Sequence, residues 1–178
     1  QLGVKMFNLH CDSGPEAMRT ARRVVDELIP EGGRPLILGV TLLTSLDYDD
    51  LVEMGIREQW NIADPQEKKE LEEGVVKGYV KNFAWLAQEC GLDGVIASPK
   101  EIGVIRGYCQ PEFFVVTPGV RPTWAAVGDQ KRVMTPAEAI KAGADALVIG
   151  RPITQPPAEI GTPVEAVKRI ADEIAGAL

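Results

Sequence analysis

Leu36-Ile37-Leu38-Gly39-Val40-Thr41-Leu42-Leu43 is a nearly unbroken apolar run of strand length. A strand with one wet face alternates apolar and polar residues. A run without alternation suits a strand covered on both faces, as in a parallel sheet flanked by helices. The upstream sequence agrees. Leu2 to His10 reads as a short strand, with Val4, Met6 and Phe7 as β-compatible bulk. Asp12 to Pro15 breaks it. Glu16 to Ile29 then places Ala17, Ala21, Val24, Val25, Leu28 and Ile29 at helical spacing, and Pro30 to Pro35 turns the chain into the apolar run.

Downstream, Tyr48 to Gly78 gives no clear period. Its charge run, Glu67 to Glu73, reads as a solvated helical face. Val75 to Glu89 continues as an amphipathic helix, with Gly91 as its stop. Val95 to Ala97 is a short strand, Pro99 to Tyr108 a short helix, and Phe113 to Thr117 the next strand. Pro118 to Val133 is a Gly-, Pro- and charge-rich loop, long enough to suggest function. Thr135-Pro136-Ala137-Glu138 and Thr162-Pro163-Val164-Glu165 share one pattern of N-cap, N1 proline and capping-box glutamate. The first opens a short helix ending at Gly143. The second opens a terminal helix from Pro163 to about Ala177. Ala146 to Ile149 is the last strand and ends at Gly150-Arg151.

Strands followed by helices imply parallel pairing and right-handed crossovers. No G-x-G-x-x-G follows a strand, which removes the usual dinucleotide-binding open sheet. A (β/α)8 barrel needs eight strands and about 250 residues. The 178 residues carry five strand–helix units. The expectation is a single domain, residues 1–178, forming the C-terminal part of a barrel. At about 30 residues per unit, some 90 residues would precede it. The start at Gln1, without Met, points the same way.

Composition narrows the function. At 45% hydrophobic and 25% charged the chain has enough apolar surface for a core, which excludes wholesale disorder. No apolar run approaches the roughly 18 residues of a membrane span. The net charge of −7 opposes binding to nucleic acid. Cys11, Cys90 and Cys109 make neither a C-x-x-C pair nor a metal spacing, and His10 is the only histidine. Reduced thiols in a cytoplasmic protein are expected, with no structural metal.

In a barrel, function gathers at the C-terminal ends of strands, and phosphate often binds after the last two. Here those ends are Thr117-Pro118-Gly119-Val120-Arg121-Pro122 and Gly150-Arg151-Pro152. Each offers a glycine, which permits close backbone approach, and an arginine, which grips a phosphate bidentately. Backbone N–H groups at Gly150-Arg151 add to an anion site. The hydroxyls of Thr41, Thr44 and Ser45 follow the second strand, where they either meet a heterocycle or cap the next helix. Gln130, in the long loop, offers both a donor and an acceptor. His10 ends the first strand with no nucleophile relay around it, and reads as structural.

Taken in order, Phe7-Asn8-Leu9-His10, Val40 to Ser45, Cys90-Gly91-Leu92-Asp93-Gly94-Val95, Val116 to Pro122, Gly128-Asp129-Gln130-Lys131-Arg132 and Val148 to Gln155 resemble the bacterial type of orotidine 5'-phosphate decarboxylase. The resemblance runs from near Gly3 to Gln155. It implies a phosphate-binding (β/α)8 barrel of the ribulose-phosphate group that converts orotidine 5'-monophosphate to UMP in pyrimidine synthesis. It implies no metal, no organic cofactor, and a homodimer with active sites at the two-fold interface. By position, Thr44 contacts the pyrimidine amide. Gln130 bridges base and phosphate from a closing loop. Gly150 and Arg151 bind the phosphate, and Arg121 anchors the same region.

One departure is large. The family's alternating Lys and Asp residues, including a D-x-K-x-x-D motif, lie on its second and third strands, and a ribose-binding Asp lies on its first. D-x-K-x-x-D occurs nowhere in Gln1–Leu178. The resemblance begins at the family's fourth strand, so the catalytic tetrad is expected upstream of Gln1 and this chain alone is expected to be inactive. Arg57 to Gly74 looks longer than the family pattern and reads as a surface elaboration. Two alternatives compete. One is an inactive piece of a larger assembly. The other is a different phosphate-barrel enzyme, such as a hexulose-phosphate synthase or ketogulonate-phosphate decarboxylase, which uses a metal.

Overall fold

A computed structural model describes residues 3–125 and 133–178. Its strands are β1 (Met6–His10), β2 (Leu36–Val40), β3 (Gly94–Ile96), β4 (Phe114–Thr117) and β5 (Ala146–Leu147). Its helices are α1 (Pro15–Leu28), α2 (Tyr48–Glu53), α3 (Pro65–Glu89), α4 (Ile102–Tyr108), α5 (Pro136–Lys141), α6 (Arg151–Thr154) and α7 (Pro163–Ala175). All strand pairs are parallel, in the order β1-β2-β3-β4-β5. A doubly wound sheet reverses its strand order at a switch point. Here the order never reverses, so every connection steps the same way, as barrel closure requires.

The register divides the strands into two rows. Phe7, Ile37, Val95, Val115 and Leu147 pack with Met18, Val25, Val80, Ala84, Ile102 and Ile105, which puts this row against the helices. Side chains alternate along a strand. The other row therefore holds Met6, Asn8 and His10 of β1, Leu38 and Val40 of β2, Ile96 of β3, Phe114 and Val116 of β4, and Ala146 of β5. That row is the inner face of the partial barrel. Where β3 meets β4 the backbones come close. A Cβ on Gly94 would run into the carbonyl oxygen of Phe114 and lie 2.7 Å from its Cβ.

At the N-terminal end of the sheet the same device occurs twice. Asp93 precedes β3; its carboxylate accepts the amide of Ile37 at 2.7 Å and the Nη1 of Arg22 at 3.1 Å. Asp145 precedes β5; its carboxylate accepts the amide of Val115 at 2.6 Å and the Nη2 of Arg106 at 2.5 Å. Each Asp thus finishes the neighbouring strand's ladder and ties it to a helix, α1 or α4. Buried N–H groups left without partners are expensive, which explains a charged residue at a strand start.

Several sequence expectations change in extent: β1 starts at Met6, β5 stops at Leu147 rather than Ile149, and two changes are larger. The apolar run leaves the strand at Val40. Thr41 still bonds β3, its amide and hydroxyl both donating to Ile96 O at 3.1 Å, and the chain then turns, with Leu46 N donating to Leu43 O. The helix expected from Val75 starts ten residues earlier, because Asp64 caps it by accepting from Gln66 N at 2.9 Å and Glu67 N at 2.8 Å, with Pro65 at N1. The charge run lies on its mostly exposed first turns, as read, and Val76, Val80, Ala84 and Ala87 anchor its second half. Both Thr-Pro-x-Glu starts form full capping boxes. The three cysteines are free. No helix among the described residues is long and apolar enough to cross a membrane.

Candidate functional site

The site is built where β4 and β5 end. Val116 pairs with Ala146 and Thr117 with Leu147, and Val148 N donates to Thr117 O at 2.9 Å. The two strands therefore release their chains side by side, on the same end of the sheet. From β4 the chain passes Pro118 to Gly119, whose φ of +74° turns it at a position where a side chain would be strained. It then reaches Val120, fully buried, and Arg121, only 8% exposed. The Arg121 guanidinium donates from Nη1 to Val120 O at 2.9 Å, and its amide donates to Met134 O at 2.9 Å. That amide bond joins the residues on either side of the segment 122–133. Arg121 is thus a buried cation at a strand end, which a plain surface turn would not hold.

From β5 the chain passes Val148, half exposed, to Gly150 and the four-residue α6. Gly150 O accepts from Ile153 N at 2.9 Å and Thr154 N at 3.1 Å, and Arg151 O accepts from Gln155 N at 2.8 Å. The space that a Cβ on Gly150 would enter is open. Arg151 opens α6 and is exposed. The helix is packed on α7, which itself begins at the Thr162 capping box and buries Ala166 and Ile170. The sequence reading had no helix at 151–154; four residues opened by Arg-Pro carry no period.

Thr44 is 8% exposed and sits in the turn after β2. The cap of α2 is Asp47, which accepts from Asp50 N while Asp50 Oδ2 accepts from Asp47 N at 2.7 Å. The cap of α2 is therefore Asp47 and not Thr44. Gln130 lies outside the described residues. The structure thus gathers Arg121, Gly150 and Arg151 at adjacent strand ends, with Thr44 at the same end of the sheet beyond β3.

Two polar residues at this end carried no sequence signal. Ser98 follows β3, is fully buried, and caps the turn at Pro99–Glu101 by accepting Lys100 N at 3.4 Å. Glu101 donates its amide to Ser98 O at 3.1 Å and is 2% exposed. A Ser-Pro-Lys-Glu sequence looks like any helix start, and nothing in it announces a buried carboxylate. A cavity of about 460 Å³ opens beside α2 and α3, lined by residues that include Asp47, Lys69, Lys77, Lys100, Glu101 and Met134. Thr44, Arg121, Gly150 and Arg151 do not line it, but it adjoins their end of the sheet through Glu101 and Met134, whose carbonyl accepts the Arg121 amide.

A parallel five-stranded sheet in barrel order, β1-β2-β3-β4-β5, defines the class of (β/α)8 barrels. Comparison with known proteins narrows this. The family model for "Orotidine 5'-phosphate decarboxylase / HUMPS family" matches residues 1–170, and the chain belongs to that family. Over 174 residues it is 49% identical to orotidine 5'-phosphate decarboxylase of Trichlorobacter lovleyi and 47% identical to that of Geobacter sulfurreducens. Each match takes in 98% of this chain and 64% of the relative. The chain thus spans a little under two thirds of the curated relatives it matches. Among solved structures, orotidine 5'-phosphate decarboxylase from Lactobacillus acidophilus superposes with a TM-score of 0.70 at 29% identity, covering 97% of this chain and 64% of that one. An uncharacterised conserved protein from Geobacillus kaustophilus superposes at 0.65, also at 29% identity, covering 96% and 63%.

Proposed function

We propose that this chain is the base- and phosphate-binding part of an enzyme that decarboxylates orotidine 5'-monophosphate to UMP. The observation that carries the reading is the Val148–Thr117 bond, which sets Gly119–Arg121 and Gly150–Arg151 side by side. Arg151 and the Gly150 backbone take the phosphate dianion. Arg121, already buried, supplies fixed positive charge beneath it. Thr44 meets the pyrimidine amide. Gln130 bridges base and phosphate from the segment between Arg121 and Met134.

In the reaction the bond from C6 to the carboxylate breaks, CO2 leaves, and the electron pair left on C6 takes a proton. The phosphate does not react. Its binding energy holds the base in place and closes the loop, which is how remote contacts lower a barrier. The Lys and Asp residues that hold and protonate the carbanion in the resembling family have no counterpart in residues 1–178, so the step needs them from outside this stretch. The reading places residues 1–178 in one barrel domain of a cytoplasmic homodimer that needs no metal or cofactor.

The assay is the loss of ultraviolet absorbance of orotidine 5'-monophosphate. A protein of the relatives' full length that carries this chain should turn over the substrate in the presence of a metal chelator. The 178-residue chain alone should stay at the uncatalysed rate. Turnover of a pentulose phosphate that needs a metal, with none of orotidine 5'-monophosphate, would replace this reading with the synthase one.

A further inference from the structure

The inner face of the sheet is almost wholly apolar. On β2, β3, β4 and β5 it presents Leu38, Val40, Ile96, Phe114, Val116 and Ala146. Only β1 is different. Its inward row is Met6, Asn8, His10, while Phe7 and Leu9 of the same strand turn to the helix side. Asn8 is the one amide on this face and His10 the one ionisable group among the described strand residues. His10 is also the last residue of β1, so it stands at the C-terminal end of the sheet, level with Val40 in the register. Its side chain is exposed, and its carbonyl accepts Ser13 Oγ at 2.6 Å, which fixes the backbone where the strand ends. The sequence reading treats His10 as structural; the register puts it on the inward row, at the same end of the sheet as the loops after β4 and β5.

The phosphate site proposed above lies four strands away. Parallel strands are about 4.8 Å apart, so β1 and β5 are separated by about 19 Å along the curved sheet, and by less across the concave face. A ligand gripped by its phosphate at β4 and β5, and lying over that face, points its other end at β1. An imidazole is suited to that end, since it donates from one nitrogen and accepts at the other. We infer that His10 is a binding residue for the end of the nucleotide remote from the phosphate. The inference rests on the proposed nucleotide reading. It adds a contact at the opposite edge of the sheet from the phosphate grip.

Because His10 is the only histidine, its ring gives a single set of resonances that needs no assignment by mutation. The 178-residue chain is titrated in parallel with inorganic phosphate and with UMP, following the His10 ring and the Gly150 amide. Phosphate should move the Gly150 amide and leave the ring in place. UMP should move both. His10→Ala should weaken UMP by about 3- to 10-fold, the range for one hydrogen bond, and leave phosphate affinity unchanged. UMP that moves Gly150 without moving the ring would overturn the inference and leave the phosphate site standing. Equal movement of the ring by phosphate and by UMP would also overturn it. Failure of both ligands to move either reporter would overturn the inference and the nucleotide reading together.

Discussion

The amide of Val148 donates to the carbonyl of Thr117 at 2.9 Å, and this single bond levels the ends of β4 and β5. Two loops that are 30 residues apart in sequence thereby leave the sheet next to each other. One carries a buried arginine, Arg121, and the other an exposed one, Arg151. The difference in burial separates their work. Arg121 is held in place by the fold before any ligand arrives, and Arg151 stands at the surface, where an incoming dianion can reach it.

Arg151→Ala is the direct probe of that division. A charged hydrogen bond that becomes partly desolvated when the loop closes is worth on the order of 2 kcal/mol, or about 30-fold. In the full-length protein, kcat/KM for orotidine 5'-monophosphate should fall by about that factor, and Arg151→Lys should recover only part, because lysine lacks the planar fork. Steady-state kinetics checks it. A change within about twofold, below roughly 0.4 kcal/mol, would make Arg151 a bystander.

Asp145 serves the other end of the sheet. Asp145→Ala removes the acceptor of the Val115 amide and the partner of Arg106 at once. A buried strand amide left without a partner costs about 1–3 kcal/mol, so the melting temperature should drop by several degrees. Asp145→Asn should cost less, because its side-chain oxygen can still accept the Val115 amide. Thermal melts of the two variants rank them, and the reverse order would contradict the account of the strand-start aspartates.

Thr117 offers a test with the opposite sign. Its Oγ1 is buried and has no hydrogen-bond partner among the described residues. It lies on the helix-facing row, in register with Leu147, rather than over the proposed ligand. Valine has the same shape and keeps the β-branch that suits a strand. Thr117→Val should therefore stabilise the chain by about 1 kcal/mol, read as a higher denaturation midpoint with an unchanged m-value. A loss of stability would mean that the hydroxyl has a partner after all.

The capping boxes make stability depend on acid. The Glu138 carboxylate accepts the Thr135 backbone amide and then its hydroxyl, and Glu165 does the same at Thr162, which holds both carboxyls below the ordinary value of 4.5. A carboxylate held below its unfolded value stabilises the fold above that value. The contribution is lost as pH falls through the lower, folded one. The Glu138→Ala/Glu165→Ala double variant should be less stable than the parent at pH 7, and the gap should narrow on acidification to pH 3. A gap that stays constant over that range would show that the glutamates take no part.

Thiol chemistry should follow burial. Cys11 is 1% exposed, and desolvation, with smaller effects from Asp12 and Cys90, pushes its thiol up to about 12. The thiolate is the reactive form, so Cys11 should resist a disulfide reagent in the native state at pH 8. Cys109 is only partly buried, and although burial raises its thiol too, it should react first. Cys11 labelling as fast as Cys109 would contradict the packing around β1.

Much of this arrangement was legible in the sequence. The apolar run at Leu36 and the Thr-Pro-x-Glu pairs at Thr135 and Thr162 announced a parallel sheet and two helix starts through purely local rules. The two Gly-Arg segments were legible because the architecture itself marks the ends of the last strands. The start of α3 was hidden because its first turns are charged and end in Gly74, so the apolar stripe begins only at Val75–Val76. The strand-start role of Asp93 and Asp145 was hidden for another reason. An aspartate after Gly-Leu or Gly-Ala looks like a turn residue, and its real partners, the amides of Ile37 and Val115, lie 56 and 30 residues away. The inward placement of His10 needed the register, because alternation alone does not say which row meets the helices.

Isothermal titration of the 178-residue chain with UMP and with uridine tests the central claim most directly. The two ligands differ only by the phosphate. UMP should bind at least about 30-fold more tightly than uridine, equivalent to roughly 2 kcal/mol, and Arg151→Ala should bring UMP close to the affinity of uridine. Equal binding of UMP and uridine, or an Arg151→Ala chain that still prefers UMP by the full factor, would contradict a phosphate site between the ends of β4 and β5.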